Sequence, residues 1–375
     1  MGRWSYYTKK FAYRWAREVA SREKPIVIAL DAMGGDHGTE VTLEGALNAV
    51  AEQENLKILL IGKKDELTEK LGNKFLPEEI EILNSDDAFG MDESPTAALR
   101  RPNCSIMMGV DLVATGEADG FVSMGNTGAV MASALVKIGR IPGVERPALM
   151  TLFPTIEGRP TLVVDIGANV DCKPINLLRF GQMASLYAKE VLDRSNPKVA
   201  LLSVGEEDSK GNTLTKATNK LLRESNLDFI GNVEGGAILT GEADVIVTDG
   251  FAGNVLLKFG EGSMGFFKSI AKKGRRNNLF TLARGLLIKG HFRKIMKEFD
   301  YAEYGGAPLL GIKGNIVIGH GKSSIAAVTN AISLASVMAF ADIAGVIEDY
   351  IKGKVRKDEN EDIGDRIEST GSSID

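Results

Sequence analysis

The residues of this chain best suited to chemistry lie in glycine-rich turns that follow short apolar runs. Val245, Ile246 and Val247 lead into Asp249, Gly250, Phe251, Ala252, Gly253 and Asn254. The β-branched run reads as a buried strand. A strand, a glycine turn and a helix start, in that order, present unpaired N–H groups and the positive end of a helix dipole to an anion. The same design recurs at Ile26 to His37, Gly120 to Gly128, Leu162 to Pro174 and Val199 to Gly211. The turns supply candidate phosphate- or substrate-binding residues. These are Asp31, Gly34, Gly35 and His37, then Gly125, Asn126, Thr127 and Gly128, then Asn169, and finally Asp249, Gly250 and Gly253. Lys210, Asn254 and His37 are the polar tools among them. The chain has no GxSxG elbow and no HExxH helix, and its glycine-rich turns fail the GxxxxGK[ST] and GxGxxG patterns, so hydrolase, zincin, ATP and dinucleotide readings lack their signatures there. Such an inventory suits a reaction whose nucleophile is not a side chain. Phosphate bound at the turns could attack an activated acyl group such as a thioester, with lysine or amide donors stabilising the oxyanion.

The elements that must position these turns alternate between strands and helices. Strands are expected at Ile26–Leu30, Ile58–Ile61, Ile80–Leu83, Gly120–Val122, Pro147–Phe153, Leu162–Val164, Val199–Val204, Val245–Val247 and Ile316–Ile318, with a short one starting at Phe229. Helices are expected at Thr39–Ala51, Asp65–Leu71, Met107–Gly116 and Ala129–Ile138, after Pro174, from about Asn254, and over Ser324–Lys352. Alternation of this kind builds a parallel sheet covered by helices. In such a sheet the carboxyl ends of the strands share one edge, so the five turns are expected to converge on one cleft.

Length and charge bound the rest. A chain of 375 residues can bury a large core as one α/β unit or two lobes. A net charge of -5 argues against a nucleic-acid partner. Cys104 and Cys172 are the only cysteines, too few for a disulfide framework and without metal-ligand spacing, so no metal or cofactor is expected and a reducing cytosol is the simplest home. Ala331 to Ile347, the most apolar run, carries Asp342 and reads as an amphipathic helix. Arg100 and Arg101 are a candidate phosphate or carrier contact. Between Phe266 and Lys297 basic residues alternate with apolar ones and no acid occurs, which fits a helical pair meeting an anionic membrane or an acidic protein. Residues 1–24 are basic and aromatic, either a membrane-surface helix or a leader outside the fold, with the second reading favoured. Residues 353–375 read as a disordered tail.

Several of these segments carry a resemblance. LDAMGGDH, SMGNTGA, GRIPGVERPAL, DIGANVDCKP, GEEDSKGN, FIGNVEG, TDGFAGNVLLK and YGGAPLLG run in order from about Pro25 to about Tyr350. Together they are similar to the bacterial phosphate acyltransferase family. The resemblance implies a homodimer that makes acyl phosphate from acyl carrier protein thioester and inorganic phosphate, feeding a membrane-bound glycerol-3-phosphate acyltransferase. It implies a three-layer α/β/α fold with a mostly parallel sheet, similar to isocitrate dehydrogenase and phosphotransacetylase, plus a protruding helical hairpin. On this chain that means a core at 25–260, a helical excursion at 261–300 and a return to the core at 301–352. The family's catalytic lysine falls on Lys210 and its catalytic asparagine on Asn254. Its apolar membrane tip falls on about Asn277 to Phe292, with Leu279, Phe280, Leu286 and Leu287 as the contacts. The implied location is cytoplasmic and peripherally membrane-associated. Pro102 and Cys104 depart from the family's more basic, Ser-rich pattern, and residues 1–24 have no counterpart. The competing reading is a short-chain phosphotransacylase that uses acyl-CoA.

Overall fold

The computed structural model describes residues 24–273 and 305–353. The expected membrane tip, the residues before 24 and those after 353 lie outside them. The strands are β1 (Ile26–Asp31), β2 (Leu56–Gly62), β3 (Ile80–Asn84), β4 (Gly120–Ser123), β5 (Ala148–Phe153), β6 (Thr161–Val164), β7 (Lys198–Leu202), β8 (Asp228–Val233), β9 (Val245–Val247), β10 (Ala307–Leu310) and β11 (Asn315–Ile318). They form one 11-stranded sheet in the order β3-β2-β1-β4-β11-β10-β5-β6-β9-β7-β8.

Strand direction within this sheet corrects the single-cleft expectation. β3, β2, β1, β4 and β11 are mutually parallel, and so are β6, β9, β7 and β8. Between the two groups, β10 is antiparallel to both β11 and β5, and β5 is antiparallel to β6. An odd number of reversals separates the groups, so they point opposite ways. The turns after β1, β4 and β11 therefore emerge at one edge of the sheet, and those after β6, β9 and β7 at the other. Buried apolar runs look alike in either direction, which is why periodicity did not carry this information.

The helices are α1 (Gly38–Glu52), α2 (Lys64–Leu71), α3 (Ser105–Thr115), α4 (Thr127–Lys137), α5 (Pro174–Leu192), α6 (Thr213–Arg223), α7 (Ala237–Thr240), α8 (Gly250–Lys273), α9 (Ile325–Phe340) and α10 (Ile343–Ile351). Alternate residues of one strand serve the two faces. Ile28 and Leu30 of β1 join Leu43 and Ala46 of α1, Phe180 of α5 and Val328 of α9 on one side. Ala29 of β1 and Phe121 of β4 join Ile106 and Val110 of α3 and Val130 of α4 on the other. The result is the expected three layers.

Two helix expectations change. The segment expected as one helix to Lys352 is broken into α9 and α10, bent by 44°, because Asp342 takes a left-handed φ of 47 and caps α10 by accepting from the amide of Gly345. Among the described residues no single helix is long and apolar enough to cross a membrane; α9 is a core helix packed on α1, β1 and β4. α8 starts at Gly250 rather than Asn254 and continues to Lys273, so the expected core boundary at 260 falls inside it.

Candidate active site

Each turn is built around a carboxylate or an amide that gathers backbone donors. Asp31, at the end of β1, accepts from the amides of Met33 and Gly34 at 3.0 and 3.1 Å and from Ser123 Oγ at 2.7 Å. Burial pushes its carboxyl up while these donors pull it down. Its bond to Ser123 ties the first turn to the second. There Gly34 lies so close that a Cβ would stand 2.7 Å from the amide nitrogen of Gly125. Gly35 faces the carbonyl of Gly321, and Asp36 donates its amide to that carbonyl at 2.7 Å. Asn126 caps α4 by accepting from Ala129 and spends its amide donors on the carbonyls of Met91 and Glu93. Gly128 packs on Pro95, and His37 is exposed just ahead of α1.

The opposite edge repeats the scheme more tightly. Asp165 is fully buried at the end of β6. Its Oδ1 accepts from the amides of Leu149, Gly167 and Ala168, and its Oδ2 from the amide and side chain of Asn169. Burial raises this carboxyl and the donors oppose that rise. Asn169 also donates to Pro147 O at 2.7 Å, while its own carbonyl accepts the amide of Gly250 at 2.8 Å. Asp249 is the N-cap of α8, accepting from Ala252 at 2.9 Å. Asn254 consequently sits a full turn inside the helix, and its contribution is a side-chain amide rather than a helix-start N–H.

Between the two sets of turns lies a cavity of about 340 Å³, over the reversed strands β5 and β10. Leu149, Ile166, Leu257 and Ile318 form apolar walls, while Thr127, Asn254, Lys258, His320, Lys322 and Ser323 bring polar groups. Thr127 and Asn254 are the sequence candidates that reach it. Asp31, Gly34, Gly35, Gly125, Asn126, Gly128, Asn169, Asp249, Gly250 and Gly253 hold its surroundings in place. Lys210 is exposed on the loop after β7, the strand next to β9, and is not among the lining residues. Of the acids around it, Asp208 pairs with Arg223, and among the described residues no carboxylate pairs with the Lys210 amine. Arg101 is likewise committed, forking onto Glu93 at 3.0 and 2.6 Å and reaching Asp87 at 3.2 Å, which leaves Arg100 exposed as the open member of that pair.

Sequence reasoning missed Lys258, Glu261, His320, Lys322 and Ser323. Lys258 was legible one turn beyond Asn254 on the same helix face, and the Gly319–Gly321 turn before a helix start repeats the pattern used for the other turns. Neither cysteine is a ready nucleophile. Burial pushes the Cys172 thiol up to about 11, so it is protonated at neutral pH, and it points at the carbonyl of Asn169 at 3.4 Å. The Cys104 thiol is also raised by burial.

The sequence profile of a family described as "Fatty acid synthesis protein" matches residues 26–345, from β1 through the last strand into α10. The phosphate acyltransferase of a Nitratiruptor species is 46% identical over 321 residues, covering 86% of this chain and 96% of that protein. That of Heliobacterium modesticaldum is 45% identical over 331 residues, covering 88% and 98%. Among solved structures, a phosphotransacetylase from Streptococcus pyogenes superposes with a TM-score of 0.58 at 18% identity, covering 88% of this chain and 98% of that one. A branched-chain phosphotransacylase from Enterococcus faecalis V583 gives 0.52 at 15%, covering 83% and 99%. At these identities the solved structures share the fold alone. The curated relatives run almost end to end with this chain, and the profile takes in every strand of its sheet: the chain belongs to the bacterial phosphate acyltransferase family.

Proposed function

We propose that the protein transfers a long-chain fatty acyl group from acyl carrier protein to inorganic phosphate, giving acyl phosphate for phospholipid synthesis. The observation that carries this reading is the near-full-length similarity to phosphate acyltransferases. A cavity with apolar walls and convergent donors is compatible with it. A phosphate oxygen bonds to the thioester carbonyl carbon, the C–S bond breaks, and the proton carried by phosphate ends on the departing thiolate. The Asn254 amide donates to the developing oxyanion, and Lys210, swinging in from the neighbouring loop, adds positive charge to it. Glycine turns and helix starts hold the phosphate, which spares the protein a covalent intermediate.

The deciding experiment is hydroxylamine trapping of acyl phosphate formed from palmitoyl acyl carrier protein and phosphate. Phosphate-dependent product is expected, and a preference for acetyl-CoA would move the protein to the short-chain reading. Lys210→Ala is expected to lower turnover by about tenfold or more with little change in melting temperature, since an exposed loop lysine packs against little. A folded variant with wild-type turnover removes Lys210 from the mechanism.

We assign the remaining partners on the family's pattern. Along α8, Phe251, Val255 and Phe259, then Phe266 and Ile270, are exposed at four-residue spacing on either side of Gly262 and Ser263, an interrupted apolar stripe suited to a second copy of the chain. Sedimentation equilibrium showing only monomer at micromolar concentration would sink that assignment. The basic and apolar run around Leu279, Phe280, Leu286 and Leu287 lies on the membrane, where the acyl phosphate meets a membrane-bound glycerol-3-phosphate acyltransferase. Replacing Leu286 and Leu287 by Glu is expected to free the protein from anionic liposomes while activity on soluble substrate persists; unchanged co-sedimentation would argue against the tip.

A further inference from the structure

The two ends of the cavity differ. Its Asn254 end lies on α8 beside Gly167. Its far end is formed by the turns after β4 and β11, and two long helices begin there. α4 starts at Thr127, where Asn126 satisfies only the amide of Ala129. α9 starts at Ile325, where Ser324 satisfies only that of Ala327. Thr127, Lys322, Ser323 and Ala327 all line the cavity, so residues at both helix starts border the same space, with Thr127 as the first residue of α4. Lys322 is exposed, and among the described residues no carboxylate pairs with it. Glu261, the acid on the cavity wall, is matched by Lys258 at 3.0 Å. His320 Nδ1 accepts the amide of Lys322 at 3.0 Å, which holds the turn before α9 in shape.

A separate observation concerns Ser323. It is 7% exposed and lines the cavity, yet its hydroxyl has no hydrogen-bond partner among the described residues. The residue is nearly enclosed while its oxygen stays open to the cavity, where an incoming anion can take its hydrogen bond. Its side chain borders the space where the two helix starts and Lys322 meet.

We propose that Thr127, Lys322 and Ser323, with the first turns of α4 and α9, form a subsite for a tetrahedral phosphate group. The assignment rests on the acyl transfer reading and refines it by saying where in the cavity the phosphate sits. Two sources share that chemistry: free inorganic phosphate, and the phosphodiester on the prosthetic arm of the acyl donor. A cavity of about 340 Å³ is about 9 Å across if rounded. The arm, extended between its phosphodiester and its sulfur, spans about 16 Å at backbone-like bond geometry. The nucleophile must lie beside the thioester carbon held at the Asn254 end, whereas the phosphodiester of an extended arm lies most of the arm's length away, so the subsite takes free phosphate.

The test uses the full-length protein with Lys322→Ala and Ser323→Ala, two substitutions on a solvent-facing lysine and a small hydroxyl that leave the fold intact. Melting temperature is followed against inorganic phosphate and, separately, against 4′-phosphopantetheine, with no turnover required. Inorganic phosphate is expected to stabilise the wild type, with its half-saturating concentration about tenfold or more higher in each variant. The same rise in the KM for phosphate, with the KM for palmitoyl acyl carrier protein unchanged, is expected where turnover is measured. Loss confined to 4′-phosphopantetheine would assign the subsite to the arm and overturn the free-phosphate assignment. Equal phosphate affinity in wild type and both variants would overturn the subsite itself. A wild type that binds phosphate here but forms no acyl phosphate would refute the acyl transfer reading and leave the subsite standing.

Discussion

Gly253→Ala is expected to cost the protein about 3 kcal/mol or more of stability, and its activity with it. A Cβ at this position would stand 1.9 Å from the carbonyl oxygen of Asp165 and 3.1 Å from the Cα of Ile166. These are backbone atoms of the loop that Asp165 itself fastens, so neither partner has a rotamer to turn away. The first turn of α8 must then lift off the β6 loop, taking Asn254 out of the cavity. Gly262→Ala is the matched control, in the same helix with no atom within 4 Å of its added methyl. It should be neutral or stabilising by about 0.5–1 kcal/mol, the usual gain from removing glycine inside a helix. Thermal melts of the pair decide the matter. If the two variants melt together, the close approach of α8 to β6 is wrong.

Asp165→Ala should be comparably damaging for an electrostatic reason. The carboxylate is the acceptor for the amides of Leu149, Gly167, Ala168 and Asn169 and for the Asn169 side chain. Removing it leaves those donors buried, at about 1–3 kcal/mol for each group that water does not reach. A fall in melting temperature of about 5 °C or more is expected. Asp165→Asn should fall between, since it keeps an acceptor on one side and sets an amide donor against Asn169 on the other. An alanine variant as stable as wild type would mean that water enters the loop and the network is not the anchor inferred here.

How far the sequence revealed these features depended on what each residue answers to. Runs such as Ile26–Asp31 and Val245–Val247 announce their strands because burial on both faces leaves an unbroken apolar signature. β10 reads as part of a turn, since Ala307–Leu310 carries a proline and follows two glycines. The turns themselves are visible as glycine and acid clusters, but their residues divide between lining the cavity and bracing it, and composition does not distinguish the two. Asp165 and Asn169 look as reactive on paper as Asn254, and only the buried amides around them show that they are occupied. At the far end of the cavity Thr127 was legible in its own turn, but a sequence reading does not join Lys322 and Ser323 to it, because β11, which leads into them, comes from a distant part of the chain.

That placement of β11 bears on how the polypeptide is made. The strand sits in mid-sheet between β4 and β10, although β4 ends at Ser123 and β11 begins at Asn315. While the ribosome is still adding the residues between them, β4 has an open, apolar edge and lacks the cover of α9. At synthesis rates of about 5–20 residues per second this lasts for tens of seconds. A nascent chain stalled near residue 300 is expected to leave its first half open to protease and to chaperones, and one released past Ile351 to close. Protection already complete in the shorter chain would show that the amino-terminal strands need no late partner.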